Sequence, residues 1–270
     1  MTYNYHTHTY RCGHASGTPE EYIRCAIAHG VRHMGFSDHA PFIFPDGYRS
    51  AFRVPFEDRH AYVKELAQLR EKYRDELELH IGFEMEYYPS HFKTMLKNAV
   101  EAGGEYLILG QHFVLEEYPH GVHSIHATED VTMLREYVCC VVAAIQSGVF
   151  TYVAHPDMYN FVGDPTVYAE EMRKICVASR EHNVPLEINC LGIRDHRIYP
   201  NEAFWAIVGE EQSPVTIGFD AHEAIHAFDG ASLPAAKRLI ETYHLHYIGK
   251  PRLVLLQSSP AVQRLLADND

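Results

Sequence analysis

Histidine and carboxylate side chains recur in this chain at the ends of short apolar runs, a placement with chemical content. His6-Thr-His8 closes the first run, and side chains two apart on an extended strand point to the same side, so two imidazoles converge. His14 follows in the next loop. His39 closes Phe36-Ser-Asp-His, Glu84 lies near the end of Gly82-Phe-Glu-Met-Glu, and His112 closes Gly110-Gln-His. His155 ends Val153-Ala-His, and Asp220-Ala-His222 supplies a second same-side pair. Imidazoles and carboxylates are the donors that hold zinc, manganese or iron. At about four to six ligands per ion, water included, these residues imply two or three divalent ions, with Glu84 suited to bridge. Closely spaced ions acidify a shared water, orient it and neutralise charge on an attacked phosphoryl group, so hydrolysis needs no protein nucleophile. The Gly-x-Ser-x-Gly elbow of a serine hydrolase is absent from the sequence.

Residues so far apart meet only where the fold gathers strand ends. Apolar, β-branched and aromatic runs at about 2–8, 32–38, 77–86, 105–112, 150–155, 184–190 and 214–220 alternate with longer stretches that carry helix signals. Thr18-Pro-Glu-Glu21 is a capping box with Pro19 at the first helical position, and Gly30 supplies the stop. Asp164-Pro165 opens a helix that runs to about Asn183, while Ser90 with Gly103, and Thr128 with Gly148, bracket two more. Strands separated by helices make βαβ units and hence a parallel sheet, either closed into a barrel or open and doubly wound. In both, sites assemble at the carboxyl ends of the strands, where six of these seven runs deliver a metal-type ligand. No Gly-, Ser- or Pro-rich linker divides the chain, which predicts a single α/β domain over residues 1–270.

Composition narrows the partners. With 36 acidic and 23 basic residues the formal charge is −13, which repels nucleic acid phosphates. No apolar run is long enough to span a membrane, and the N-terminus lacks the form of a signal peptide, so a soluble cytoplasmic protein is expected. The six cysteines show no Cys-x-x-Cys spacing and read as reduced thiols. His120, His123 and His126 fall in a Gly- and Pro-containing loop and read as rim residues of a substrate-covering segment rather than as further ligands. The apolar stretch Val138-Cys-Cys-Val-Val-Ala-Ala-Ile145 reads as a buried helix before an oligomer contact.

Taken in order, His6-Thr-His8 with His14, Ser37-Asp-His39, Gly82-Phe-Glu84, His112, Ala154-His-Pro156 and Phe219-Asp-Ala-His222 resemble the motifs of the polymerase and histidinol phosphatase (PHP) superfamily, and within it the PHP-type histidinol-phosphate phosphatases. The resemblance spans nearly the whole chain. It implies a distorted (β/α)7 TIM-like barrel and a site of up to three ions. One would be held by His6, His8, Glu84 and Asp220, a second by Glu84, His112 and His155, and a third by His14, His39 and His222.

The stretch Leu186-Glu-Ile-Asn-Cys-Leu-Gly-Ile-Arg194 through Tyr199-Pro200 carries the likeness to histidinol phosphatases. It implies that Arg194, or Arg197, meets the substrate phosphate through a bidentate fork; Arg53 is a further candidate contact. The implied reaction belongs to histidine biosynthesis: L-histidinol phosphate is hydrolysed to L-histidinol and phosphate by an ion-held hydroxide. Asp220, His222 or an ion-held water would protonate the leaving oxygen. Glu86, Asp157, Phe42 and Phe113 are candidates to face the substrate's ammonium and imidazole. Gly110-Gln-His-Phe departs from the family's usual stretch here, so a nucleotide or sugar monoester is the alternative substrate, with a non-catalytic metal-binding module as the second alternative.

Overall fold

Residues 1–267 are described by the computed structural model. Its strands are β1 (Tyr3–Asn4), β2 (His33–His39), β3 (Glu78–Met85), β4 (Tyr106–Leu109), β5 (Leu186–Asn189), β6 (Pro214–Gly218) and β7 (His246–Tyr247). Its helices are α1 (Pro19–Ala28), α2 (Arg59–Lys72), α3 (Phe92–Ala102), α4 (Val131–Ser147), α5 (Pro165–His182), α6 (Cys190–Arg194), α7 (Glu202–Glu211), α8 (Leu233–Thr242) and α9 (Pro260–Ala267). Every strand pairing is parallel, in the orders β1-β2-β3-β4 and β5-β6-β7.

The stretch 150–155, expected as a strand, forms isolated bridges instead: Val153 pairs with Leu109 on one side and Leu186 on the other. Thr151 N donates to the Leu107 carbonyl at 2.8 Å, and Glu187 N to the Val153 carbonyl at 2.9 Å, so the backbone groups of both neighbouring strands are satisfied across it. At the other seam His8 N donates to the Ala221 carbonyl at 2.9 Å, and Ala221 N to the His6 carbonyl at 3.2 Å. Seven segments therefore close into a distorted barrel, with β7 outside β6. Both residues of β7 are exposed, so it carries no buried apolar pattern by which the sequence could announce it.

Strand alternation divides the interior into two layers. Met34 and Phe36, Leu79 and Ile81, Leu107 and Leu109, Ile188, and Val215 and Ile217 belong to the core shared with the helices, while Tyr3, Tyr5, Tyr106, Ile108, Tyr152 and Ala154 form a separate cluster. Tyr106 donates to the Tyr5 carbonyl at 2.9 Å, and Gly35 and Gly82 are glycines because a Cβ at either would collide with its ring. On β2 and β3 this second parity runs through Gly35, Ser37 and His39, and through His80, Gly82 and Glu84, with His39 opposite Glu84 in register. Alternation alone thus carries an imidazole and a carboxylate to the same mouth.

Helix ends follow local chemistry. Thr18 and Glu21 make the reciprocal capping box before α1, Asp130 caps α4 and Asp164 caps α5, and Gly103 and Gly148 end α3 and α4 in the left-handed conformation. The apolar stretch of α4 turns Leu134, Tyr137, Val138, Val141 and Ile145 inward and leaves Cys139 exposed.

Asp157, past the 150–155 segment, secures α7: its buried carboxylate accepts from Asn201 N at 2.6 Å and Trp205 Nε1 at 2.8 Å. Asp157→Ala leaves both donors without that partner and is expected to lower unfolding stability by about 2–4 kcal/mol, on the scale of about 1–3 kcal/mol per unsatisfied buried group. Urea denaturation monitored at Trp205 reads this; an unchanged midpoint would remove Asp157 as an anchor.

Candidate metal centre

The first strand does not deliver its histidines by alternation. β1 ends at Asn4, whose side-chain oxygen accepts from His6 N at 3.2 Å in an Asx-type turn and from Phe219 N at 3.2 Å. The chain bends there, and the His6 and His8 rings still converge, with centroids 5.3 Å apart. His112 also lies beyond its strand, in the loop after β4. His155 and Asp220 have positive φ angles of 32° and 49°, in the region that L residues adopt only under strain, and this local bending turns them to the mouth.

Glu84 is the hub. Its Oε2 lies 3.5 Å from His6 Nε2, 3.4 Å from His8 Nε2 and 3.5 Å from His39 Nδ1, while its Oε1 lies 2.9 Å from His155 Nε2 and 3.4 Å from His112 Nε2. The two oxygens therefore serve two sets of imidazoles. Asp220 Oδ1 stands 3.5 Å from His6 Nε2 and 3.4 Å from His8 Nε2. Five donor sets, each with its ligand atoms within 4.8 Å of one another, overlap here: His8, His14, His39 and His222; His6, His155 and Asp220; His6, His8 and Glu84; His39, Glu84 and His112; and His8, Cys12 and Asp38. All nine residues singled out in the sequence are brought together. The grouping differs in detail from the one the resemblance implies, since His8 also joins the histidines of the third set and His39 also joins Glu84 and His112.

Each imidazole has two nitrogens, and the outer partner decides which one faces inward. His6 Nδ1 lies 2.9 Å from Glu187 Oε1, His112 Nδ1 lies 2.8 Å from Glu86 Oε1, and His14 Nδ1 lies 2.9 Å from the Cys12 carbonyl. His8 Nδ1 faces Asp38 Oδ1 at 3.4 Å. Asn189 binds both Glu187 Oε2 at 2.8 Å and Asp220 Oδ2 at 3.0 Å. The sequence reading missed Glu187, Asp38 and Asn189. Their signal was there, as charged or amide residues inside the otherwise apolar runs Leu186-Glu-Ile-Asn and Phe36-Ser-Asp. Two glycines make room for the carboxylates: a Cβ at Gly110 would occupy the place of the Glu84 carboxylate, and one at Gly218 that of Glu187.

Burial opposes charge on Glu84, yet His112, His6 and His39 bring its carboxyl well below the ordinary value; His6 and His222 do the same for buried Asp220. Burial, and then His8, drives His222 down to about 3. Burial likewise drives His39 well below its ordinary value, so His39 and His222 stay neutral and offer lone pairs, while neighbouring carboxylates raise His6, His8 and His112 despite their burial. His6 Nε2, His8 Nε2, His39 Nδ1 and Asp220 Oδ1 are buried without a hydrogen bond. Such atoms are rare in a folded interior, and several converging on one region fit divalent cations, which supply what the protein does not.

A cavity of about 750 Å³ opens over this cluster, with His14, His222, Arg194, Arg197, Phe52 and Phe113 in its walls. Arg194 donates from Nη1 to Asp229 Oδ2 at 2.6 Å and from Nη2 to the Asp220 carbonyl at 3.3 Å; Asp229 in turn accepts from Ser232 N at 3.0 Å and Ser232 Oγ at 2.7 Å. Arg197 donates to Tyr199 Oη at 3.1 Å. Arg53 is not brought to the cavity. It is 3% exposed and enclosed by Glu86, Glu117 and the Ala40 carbonyl. Glu86 and Asp157 are likewise buried away from the rim, and Phe42 packs on Phe44. His123 reaches the cavity wall from a loop pinned back on itself, with Val114 N donating to the Val122 carbonyl at 3.0 Å and Ser124 N to the His112 carbonyl at 2.8 Å.

Among known proteins, the chain is 27% identical over 226 residues to a probable histidinol-phosphatase of Deinococcus radiodurans, covering 81% of this chain and 85% of that one. It is 24% identical over 264 residues to the histidinol-phosphatase of Lactococcus lactis, covering 90% and 91%. The crystal structure of the Lactococcus lactis histidinol phosphate phosphatase, complexed with zinc, L-histidinol and phosphate, superposes with a TM-score of 0.69 at 21% identity, over 91% of this chain and 95% of that one. That likeness establishes the distorted TIM-like barrel. The family model described as the PHP domain matches residues 4–190, from β1 into the start of α6, and takes in each of the nine clustered residues except Asp220 and His222. On that match, the chain belongs to the PHP domain family.

Proposed function

We propose that this protein is a metal-dependent phosphomonoesterase that hydrolyses L-histidinol phosphate to L-histidinol and phosphate. The observation that carries the reading is the cavity itself, which sets a floor of buried, unpaired imidazole and carboxylate atoms beside a wall bearing two guanidinium groups. The relatives named histidinol-phosphatases, matched along most of their length, support the substrate. We assign two or three divalent ions, of zinc, manganese or iron, to His6, His8, Glu84 and Asp220, to Glu84, His112 and His155, and to His14, His39 and His222. Such ions supply Lewis acidity, which acidifies water and neutralises phosphoryl charge.

The protein's own groups orient and enclose the substrate. Arg194, braced by Asp229, presents its fork toward the phosphoryl oxygens, where a planar guanidinium binds in a bidentate manner and stabilises charge that develops on them. Arg197 flanks it, oriented by Tyr199. Phe52, Phe113, Ile125, Met158 and Leu191 line the cavity and exclude water. Glu223, on the same wall, is the carboxylate for the substrate's ammonium.

The deciding experiment measures phosphate release from L-histidinol phosphate beside nucleotide and sugar monoesters, on protein whose bound metals have been quantified. A selective rate that a chelator abolishes supports the proposal; metallated protein that cleaves another monoester instead would overturn the substrate. His8→Ala and Asp220→Ala are expected to remove at least 100-fold of turnover, and Gly110→Ala, which displaces the Glu84 carboxylate, to reduce bound metal together with activity. Normal metal content and rate in all three would refute the assigned centre. For Arg194→Ala, loss of one charge-assisted contact of about 1.5–3 kcal/mol corresponds to a 10- to 150-fold drop in kcat/KM with bound metal unchanged. Unaltered kinetics would remove Arg194 from phosphate recognition.

A further inference from the structure

Arg53 is a cation 3% exposed that does not line the cavity over the cluster, and its partners explain why it is there. Nη2 donates to Glu86 Oε2 at 2.7 Å and also to Glu117 Oε2, Nε lies 3.4 Å from Glu117 Oε1, and Nη1 donates to the Ala40 carbonyl at 3.2 Å. Glu117 accepts further from Ser50 Oγ and, at 3.2 Å, from Tyr88 Oη. One guanidinium thus joins the carboxyl end of β2, the segment just past β3 and the loop after β4. The oxygen of Glu86 that Arg53 leaves free, Oε1, lies 2.8 Å from His112 Nδ1, and His112 Nε2 faces Glu84 at 3.4 Å.

We infer that Arg53 and Glu86 are positioning residues for His112, acting in series to hold its Nε2 toward the metal centre. The inference rests on the metal-binding reading above. A carboxylate accepting on one oxygen from a fixed guanidinium is restrained from rotating, which keeps its second oxygen in line with His112 Nδ1. A proton on Nδ1 leaves Nε2 as the lone-pair nitrogen. A lysine could not do this as well, because one ammonium lacks the planar fork that spans two carboxylates and a carbonyl. Gly121 assists from the loop, since a Cβ there would run into the Glu117 backbone. The two rim loops are therefore tied to the same cation that orients a site imidazole.

The test uses the full chain loaded with Zn2+. It compares wild type with Glu86→Gln, Arg53→Lys and Arg53→Gln for Zn2+ retained per chain and for the rate at which a chelator strips it, with thermal unfolding of the metal-free proteins alongside. Glu86→Gln is expected to weaken Zn2+ retention 10- to 100-fold, the range found when the partner behind a ligating histidine is lost. Arg53→Gln should move it in the same direction, and Arg53→Lys should fall between Arg53→Gln and wild type. Folded Glu86→Gln with wild-type retention overturns the inference, as does Arg53→Gln that raises KM while Zn2+ retention is unchanged, because Arg53 would then be acting on substrate. Should Glu86→Gln fail to fold, Arg53→Lys with wild-type retention overturns it equally. A wild-type chain that holds no Zn2+ removes the metal-binding reading itself, a result distinct from any difference among variants.

Discussion

One buried carboxylate organises this molecule. Glu84 is 1% exposed, and a carboxylate so placed must be compensated by cations or donors on every accessible side, because taking it from water costs several kcal/mol even after relaxation. The compensation comes from five imidazoles on four segments of the barrel, so the requirement of a single side chain fixes where β1, β2, β4 and the 150–155 segment must end. The glycines of the mouth obey the same constraint. Gly110 yields its Cβ volume to Glu84, and Gly218 yields its own to Glu187, the carboxylate behind His6. Sheet closure and charge compensation are thus one problem: the seam between β1 and β6 brings Asp220 to His6 and His8, and the seam at Val153 brings His155 to Glu84.

A second layer of groups turns a crowd of histidines into a directed set. Imidazole is ambidentate, and a cluster free to exchange tautomers would have no fixed inward face. Here Glu187, Glu86 and the Cys12 carbonyl take Nδ1 of His6, His112 and His14, which leaves Nε2 for the centre. The outer carboxylates are themselves held, Glu187 by Asn189 and Glu86 by Arg53. Removing one member of such a buried pair strands the other charge, a change of about 3–5 kcal/mol, so these second partners are under nearly as much constraint as the ligands they orient.

Much of this was legible in the sequence because ligand-type residues sit at the ends of apolar runs, and the parallel topology of βαβ units sends all such ends to one mouth. The ordered set from His6 to His222 needed no contact information to be singled out, and the caps at Thr18, Asp164, Gly103 and Gly148 marked helix ends directly. What stayed hidden depended on three-dimensional pairing. Arg53 read as a surface or phosphate-facing cation because its carboxylates lie 33 and 64 residues away along the chain. Glu187 stood only as part of the stretch that carries the likeness, since its partners lie just past β1 and on the 150–155 segment. The bridges at Val153 replaced an expected strand because that segment shares its hydrogen bonds between two neighbours over a very short length.

The sequence also implied that these residues converge, but for a partly wrong mechanical reason, and the difference bears on how the cluster is built. Simple alternation explains His39 and Glu84, which continue the parity of Ser37 and Gly82. It does not explain His155, which has the parity of Val153, a residue packed in the outer core. A left-handed backbone at His155 supplies the missing turn, and the Asx turn at Asn4 does the same for His6. Positive φ at a residue with a Cβ costs about 1–3 kcal/mol, which persists only where surrounding structure fixes it. At His155 the fixing groups are visible: its N donates to Glu187 Oε2 at 3.1 Å, the carboxylate that also receives His6 Nδ1. The Glu187 carboxylate therefore holds His6 by its ring nitrogen and His155 by its backbone N–H, and a barrel whose alternation would have aimed His155 at the helices aims it at Glu84.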